Sequence, residues 1–145
     1  MSPRKVRAGE LLALGGAACV IVSLFVPSYE GPAGVLKAFD TFGPGVFLLL
    51  AAAASALGLF VATIGERSTA VPVAVTVWTI LLGLIAMIAA LVRVLERPDN
   101  ATAVCSGPWL ALAGALAIFL GAWRATHDER SSLYPPATPP ARPAP

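Results

Sequence analysis

Apolar residues in this chain fall into four long runs, each closed by proline, glycine or a short polar stretch. The first extends from about Ala8 to Val26, where Pro27-Ser28-Tyr29 interrupts it. The second starts at Gly43-Pro44-Gly45 and continues to Ile64, and the third goes from Pro72, with Ser68 or Thr69 available as cap, to Leu95. The fourth follows Ser106-Gly107 from Pro108 to Ala125. Proline suits the first turn of a helix because its missing amide hydrogen would have had no intrahelical partner there. Each run is about 20 residues, enough at ~1.5 Å per residue to cross a ~30 Å hydrocarbon layer. The pattern predicts an all-α membrane protein: an antiparallel, left-handed four-helix transmembrane bundle over residues 1–125, with spans at 8–26, 44–64, 72–95 and 108–125. Residues 126–145 hold Pro135, Pro136, Pro139, Pro140, Pro143 and Pro145, which forbid helix and sheet and predict a disordered tail.

Composition supports the bilayer as solvent. The chain is 57% hydrophobic and 12% charged over 145 residues, against about 25% charged in soluble domains. A net charge of +2 gives no basis for nucleic-acid binding. The placement of the cations carries more information. Arg4, Lys5, Arg7, Arg67, Arg124, Arg130 and Arg142 lie on one side of the spans, and only Lys37, Arg93 and Arg97 on the other. This bias predicts a multi-pass protein of the plasma (inner) membrane with both termini cytoplasmic. Trp109 and Trp123 sit fourteen residues apart, about 21 Å along a helix, and fit the two interfaces. Trp78, in the third span, reads as a packing residue. The basic start resembles a secretory signal, but no small-residue cleavage site follows, and Gly16-Ala17-Ala18 before Cys19 lacks the aliphatic residue a lipoprotein signal requires. Cys19 and Cys105 are expected at different depths and hence unbridged.

Membrane helices associate through close backbone approach, so small residues spaced by four are the candidate contacts. The rows are Gly9, Ala13 and Ala17; Ala54, Gly58 and Ala62; and Ala113, Ala117 and Gly121. The loop after the second span is short, which makes spans two and three antiparallel neighbours. Polar candidates are few. Glu10 follows Arg7 by three residues at the edge of span one, where an ion pair explains it. Arg93 falls within the last turns of span three and has two readings: it snorkels to the interface, or it pairs with Asp40 or Glu30 of the first outer loop to form an outer polar patch that locks the loop over the bundle. Tyr29, Phe39 and Phe42 in that loop could enter the interface or dock a partner. Asn100-Ala101-Thr102 matches a glycosylation triplet, and two P-x-x-P spacings occur in the tail. His127 stands alone, so neither a metal site nor a catalytic triad is expected, and no cofactor is implied.

Several short motifs together resemble the small four-span membrane proteins of actinobacteria, which carry no assigned activity. These are Arg7-Ala8-Gly9-Glu10-Leu11-Leu12, Ser23-Leu24-Phe25-Val26-Pro27, Phe39-Asp40-Thr41-Phe42, Arg93 with Pro98, and Trp123 at the exit of span four. The likeness covers residues 4–130. The chain departs from it in having Tyr29 and Phe39 where tryptophan is usual, and Gly43-Pro44-Gly45 in place of a more polar start. The resemblance implies a topology and no mechanism.

Acid–base or nucleophilic chemistry needs convergent titratable groups, which this pattern lacks, so an enzyme is not expected. The leading expectation is an accessory or envelope component in the lipid bilayer, contacting a membrane protein partner or further copies of itself. The alternative is a small homo-oligomeric transporter or channel. That reading needs a polar pathway from Glu10, Ser55, Thr76 and Thr79, the few polar side chains within the spans.

Overall fold

The computed structural model describes residues 8–32, 34–64, 70–96, 98 and 101–130. The proline-rich tail from 131, the turn at 65–69 with its candidate cap, Asn100 of the glycosylation triplet, and Arg4, Lys5, Arg7, Arg67, Arg97 and Arg142 lie outside the described residues. In chain order the elements are α1 (Ala8–Ser23), β1 (Tyr29–Gly31), β2 (Gly34–Leu36), α2 (Ala38–Thr41), α3 (Gly45–Ile64), α4 (Ala70–Leu95), β3 (Ala103–Val104) and α5 (Ser106–Arg130). Among the described residues three helices are long and apolar enough to cross a membrane: α3, α4 from Val73, and α5 to His127, with mean hydropathies of 2.3, 2.5 and 1.4.

The first helix is shorter than the apolar run that encodes it, 16 residues ending at Ser23. Beyond that point Leu24 and Phe25 donate to carbonyls three residues back, Ile21 and Val22, so the helix tightens before it stops. Pro27 is the cause. It disfavours helical geometry at Val26, and the Ser23 hydroxyl already donates to the Val20 carbonyl at 2.6 Å. At the other end of the bundle α5 continues to Arg130, past the Ala125 boundary expected from hydropathy, because polar residues that end a hydrophobic run need not end a helix.

The four long helices pack as a ring. α1 touches α3 and α5, and α4 touches α3 and α5. The loops joining α1 to α3 and α4 to α5 share one sheet, so both lie at the same end and successive helices alternate in direction. Many of the interior side chains are small: Ala13, Ala17, Ala52, Ala56, Ala86 and Ala115 are fully buried, together with Val20, Leu49, Leu59 and Ile118. Large apolar residues such as Phe47, Leu81, Ile88 and Leu116 point outward. Trp78, expected as a packing residue, is 61% exposed on the bundle perimeter. In lipid an indole gains little by burial, whereas small residues gain van der Waals contact by letting backbones approach.

Close approach is greatest between α1 and α5. A Cβ built on Gly16 would lie 2.6 Å from the Gly114 carbonyl oxygen, and one on Gly9 2.7 Å from that of Gly121. Backbone therefore meets backbone along this seam. Of the small-residue rows, Gly9, Ala13 and Ala17 are buried in it, whereas Ala54, Gly58 and Ala113 face outward. Polar groups within the helices are absorbed by the backbone. Ser55 Oγ donates to the Ala52 carbonyl at 2.8 Å, and Thr79 Oγ1 donates to that of Val75 at 2.8 Å and that of Ser55, on α3, at 3.2 Å. Glu10 is buried in the first turn of α1, at the end away from the sheet.

Candidate functional site: a folded cap on the bundle

At the end opposite the termini, the two longer connections fold together into a cap. β1 pairs antiparallel with β2, Tyr29 opposite Leu36, and on its other side with β3, Tyr29 opposite Val104. The sheet order is β2-β1-β3. Hydrogen bonds extend the pairing at both ends of β1. The Ser28 N–H donates to the Leu36 carbonyl, the Cys105 N–H to that of Ser28 and the Gly107 N–H to that of Pro27. Thr102 gives both its N–H, at 2.7 Å, and its hydroxyl, at 3.0 Å, to the Glu30 carbonyl. The cap sits tightly on α5, since a Cβ on Gly107 would come within 2.8 Å of Ser28 Oγ.

Tyr29 and Arg93 join the cap to the helices. The Tyr29 side chain is fully buried, and its hydroxyl donates to the Arg93 carbonyl at 2.6 Å. That carbonyl is in the last turn of α4, where helix carbonyls lack intrahelical donors, so Tyr29 caps the helix from the sheet. In return the Arg93 guanidinium donates through Nη2 to the Phe42 carbonyl at 3.3 Å and lies over the Phe42 ring, 5.9 Å from its centroid. Phe42 is buried and closes the single turn of α2, its N–H donating to the Ala38 carbonyl.

The structure does not bring the three expected patch residues together as ion pairs. Arg93 reaches the first loop, as one reading of its position required, but through the carbonyl and ring of Phe42. Asp40 instead accepts from the Lys37 N–H at 3.3 Å, capping α2. Glu30 enters the sheet through its carbonyl while its side chain is exposed. A thermal-unfolding cycle in detergent over Arg93→Ala and Asp40→Ala should therefore give additive losses, to within about 0.5 kcal/mol. A larger coupling would restore the direct pair.

Sequence reasoning missed Tyr29 as a helix cap and Thr102 as a sheet partner. Nothing in Ser28-Tyr29-Glu30-Gly31 marks a strand, and its partners are remote in the chain. Among the described residues no three of His, Cys, Asp and Glu stand together where they could hold a metal. Comparisons with protein-family models, with curated proteins and with solved structures return no significant match to this chain. Its function has to be read from this geometry.

Burial pushes the Tyr29 hydroxyl above the ordinary tyrosine range, with the nearby Arg93 charge acting weakly in the opposite direction. A pKa raised in the folded state means that the folded chain holds its proton longer than the unfolded chain. The stabilisation is complete below pH ~10 and is lost as pH rises through the folded value. The phenolate also cannot donate to the Arg93 carbonyl. Cap protection measured by amide exchange should fall above pH ~10, and this alkaline step should vanish in Tyr29→Phe.

Proposed function

We propose that the protein is a non-enzymatic component of the plasma membrane that crosses it four times, with both termini in the cytoplasm, and works as an accessory or envelope protein through contacts made by its cap. One observation carries this reading: the two loops at the sheet end form a single folded surface, tied to α4 by Tyr29 and Arg93, rather than plain connections. A surface ordered before binding costs little conformational entropy when a partner docks. It also presents apolar side chains, with Val35 57% and Phe39 55% exposed. The hydroxyls of Ser55 and Thr79, which a transport pathway would need, are already donated to helix carbonyls. Seven of ten basic residues on the termini side support the orientation.

The test is cross-linked pull-down from native membranes with the full chain and with Val35→Glu/Phe39→Glu, both at exposed positions. A discrete partner should be recovered with the parent and lost with the double variant. Recovery unchanged by the double variant, or no reproducible partner with either, overturns the reading.

A further inference from the structure

The closeness of α1 and α5 has a second effect at the termini end. Glycine contacts pull the two backbones together, so the larger side chains flanking the seam stand out on either side of a trough. This groove has a volume of about 510 Å³ and is lined by Leu12 of α1 and by Leu120, Trp123, Arg124 and His127 of α5. It opens at the bundle perimeter, where Leu12, Leu120 and Trp123 are all about half exposed.

Its lining changes character along α5. Leu12 and Leu120 offer a hydrocarbon floor; Trp123 follows, in tilted ring contacts with Phe119 at 6.1 Å and His127 at 5.7 Å. Arg124 and His127, three residues apart on one helix face, form the polar rim. From Leu120 to Arg124 the helix rises about 6 Å. Tryptophan favours the depth at which acyl chains give way to headgroups, and cations just beyond it meet lipid phosphates. Arg124 is exposed and makes no ion pair with a described side chain at that depth. A partner helix would match the leucines but leave this charge uncompensated. A zwitterionic lipid would match it less well than an anionic one, because its own ammonium group opposes the cation.

We infer that this groove binds an anionic phospholipid of the leaflet at the termini end. One acyl chain lies along Leu12 and Leu120, the glycerol region packs on Trp123, and the phosphate accepts hydrogen bonds from the Arg124 guanidinium and the His127 ring N–H. The inference rests on the membrane-spanning reading above, and the test separates the two.

Replacing Trp78 and Trp109, both exposed, by phenylalanine leaves Trp123 as the sole indole of the three. The full chain so altered is reconstituted into vesicles of brominated phosphatidylglycerol or brominated phosphatidylcholine, and Trp123 quenching gives the relative affinity of the two lipids. One headgroup-depth cation predicts about fivefold preference for phosphatidylglycerol. Arg124→Gln/His127→Gln should bring the ratio to near one, while Arg124→Lys retains most of it. Both positions are exposed, and helix content by circular dichroism checks that each variant folds. A ratio near one in the parent, or a preference that survives the double glutamine variant, overturns the lipid site while leaving the membrane reading intact. No quenching by either lipid overturns both.

Discussion

Gly16→Leu should cost at least about 3 kcal/mol in thermal unfolding in detergent, whereas Gly15→Leu, one residue away, should change stability by less than about 1 kcal/mol. The two positions differ only in what lies opposite. A side chain at Gly15 meets nothing within 4 Å, while at Gly16 its first carbon would lie 2.6 Å from the Gly114 carbonyl oxygen and 2.7 Å from the Ile118 nitrogen. Those are main-chain atoms, which cannot rotate aside, so α5 as a whole must retreat. Retreat separates the backbones along the seam and forfeits the dispersion contacts that hold helices together in lipid. Gly121→Leu should behave like Gly16→Leu, because its Cβ would collide with the main chain of Gly9 and Ala13. Equal effects at Gly15 and Gly16 would mean that the seam is not formed.

Tyr29→Ala should release the cap, with a loss of about 3 kcal/mol or more in its local opening free energy, while Tyr29→Phe should lose only about 1–2 kcal/mol. The phenylalanine keeps the buried ring and removes the hydroxyl, leaving the Arg93 carbonyl without its donor. Alanine also empties the space beneath the sheet. Hydrogen exchange at the Thr102 and Cys105 amides, which donate across the sheet to Glu30 and Ser28, reads the cap directly. Helix content should stay at the parent level in both variants, since the four long helices also contact one another directly. Helix loss together with the cap would show instead that bundle and cap unfold as one unit.

Freeing the cap would also test the role assigned to it. A partner that recognises a folded surface should be lost with Tyr29→Ala and retained with Tyr29→Phe. A partner that binds only the exposed side chains of Val35 and Phe39 would tolerate both.

Local terms were legible from the chain. Run length and hydropathy marked the helices, and proline marked their starts, so α3 begins at Gly45 beside Pro44 and α4 ends at Leu95 as expected. These features depend on residues within a few positions of one another, where backbone sterics and transfer free energy act without reference to the rest of the molecule. The Gly9, Ala13 and Ala17 row is visible as well, but nothing distinguishes it from Ala54, Gly58 and Ala62, of which Ala54 and Gly58 face outward. Small residues recur on every face of these helices, and only the arrangement of the whole ring selects the row that meets a neighbour. The same holds for Trp78, which its place in the third span marks as a packing residue and the assembled ring leaves on the perimeter.

The cap was less legible still. Its strands are two or three residues long, too short for an alternating pattern, and β1 is joined to the residue before β3 by a hydrogen bond spanning 72 positions. Arg93 could be singled out as a cation near a helix end, but its partner is a carbonyl, a group every residue carries, so no side-chain pattern could reveal it. Thus the chain by itself determined that apolar helices form and where they begin, because those energies are local. Which helix faces touch, how the cap closes and where the groove opens were decided only when distant backbones came into contact, since close packing and hydrogen bonding depend on atoms that sequence distance does not relate.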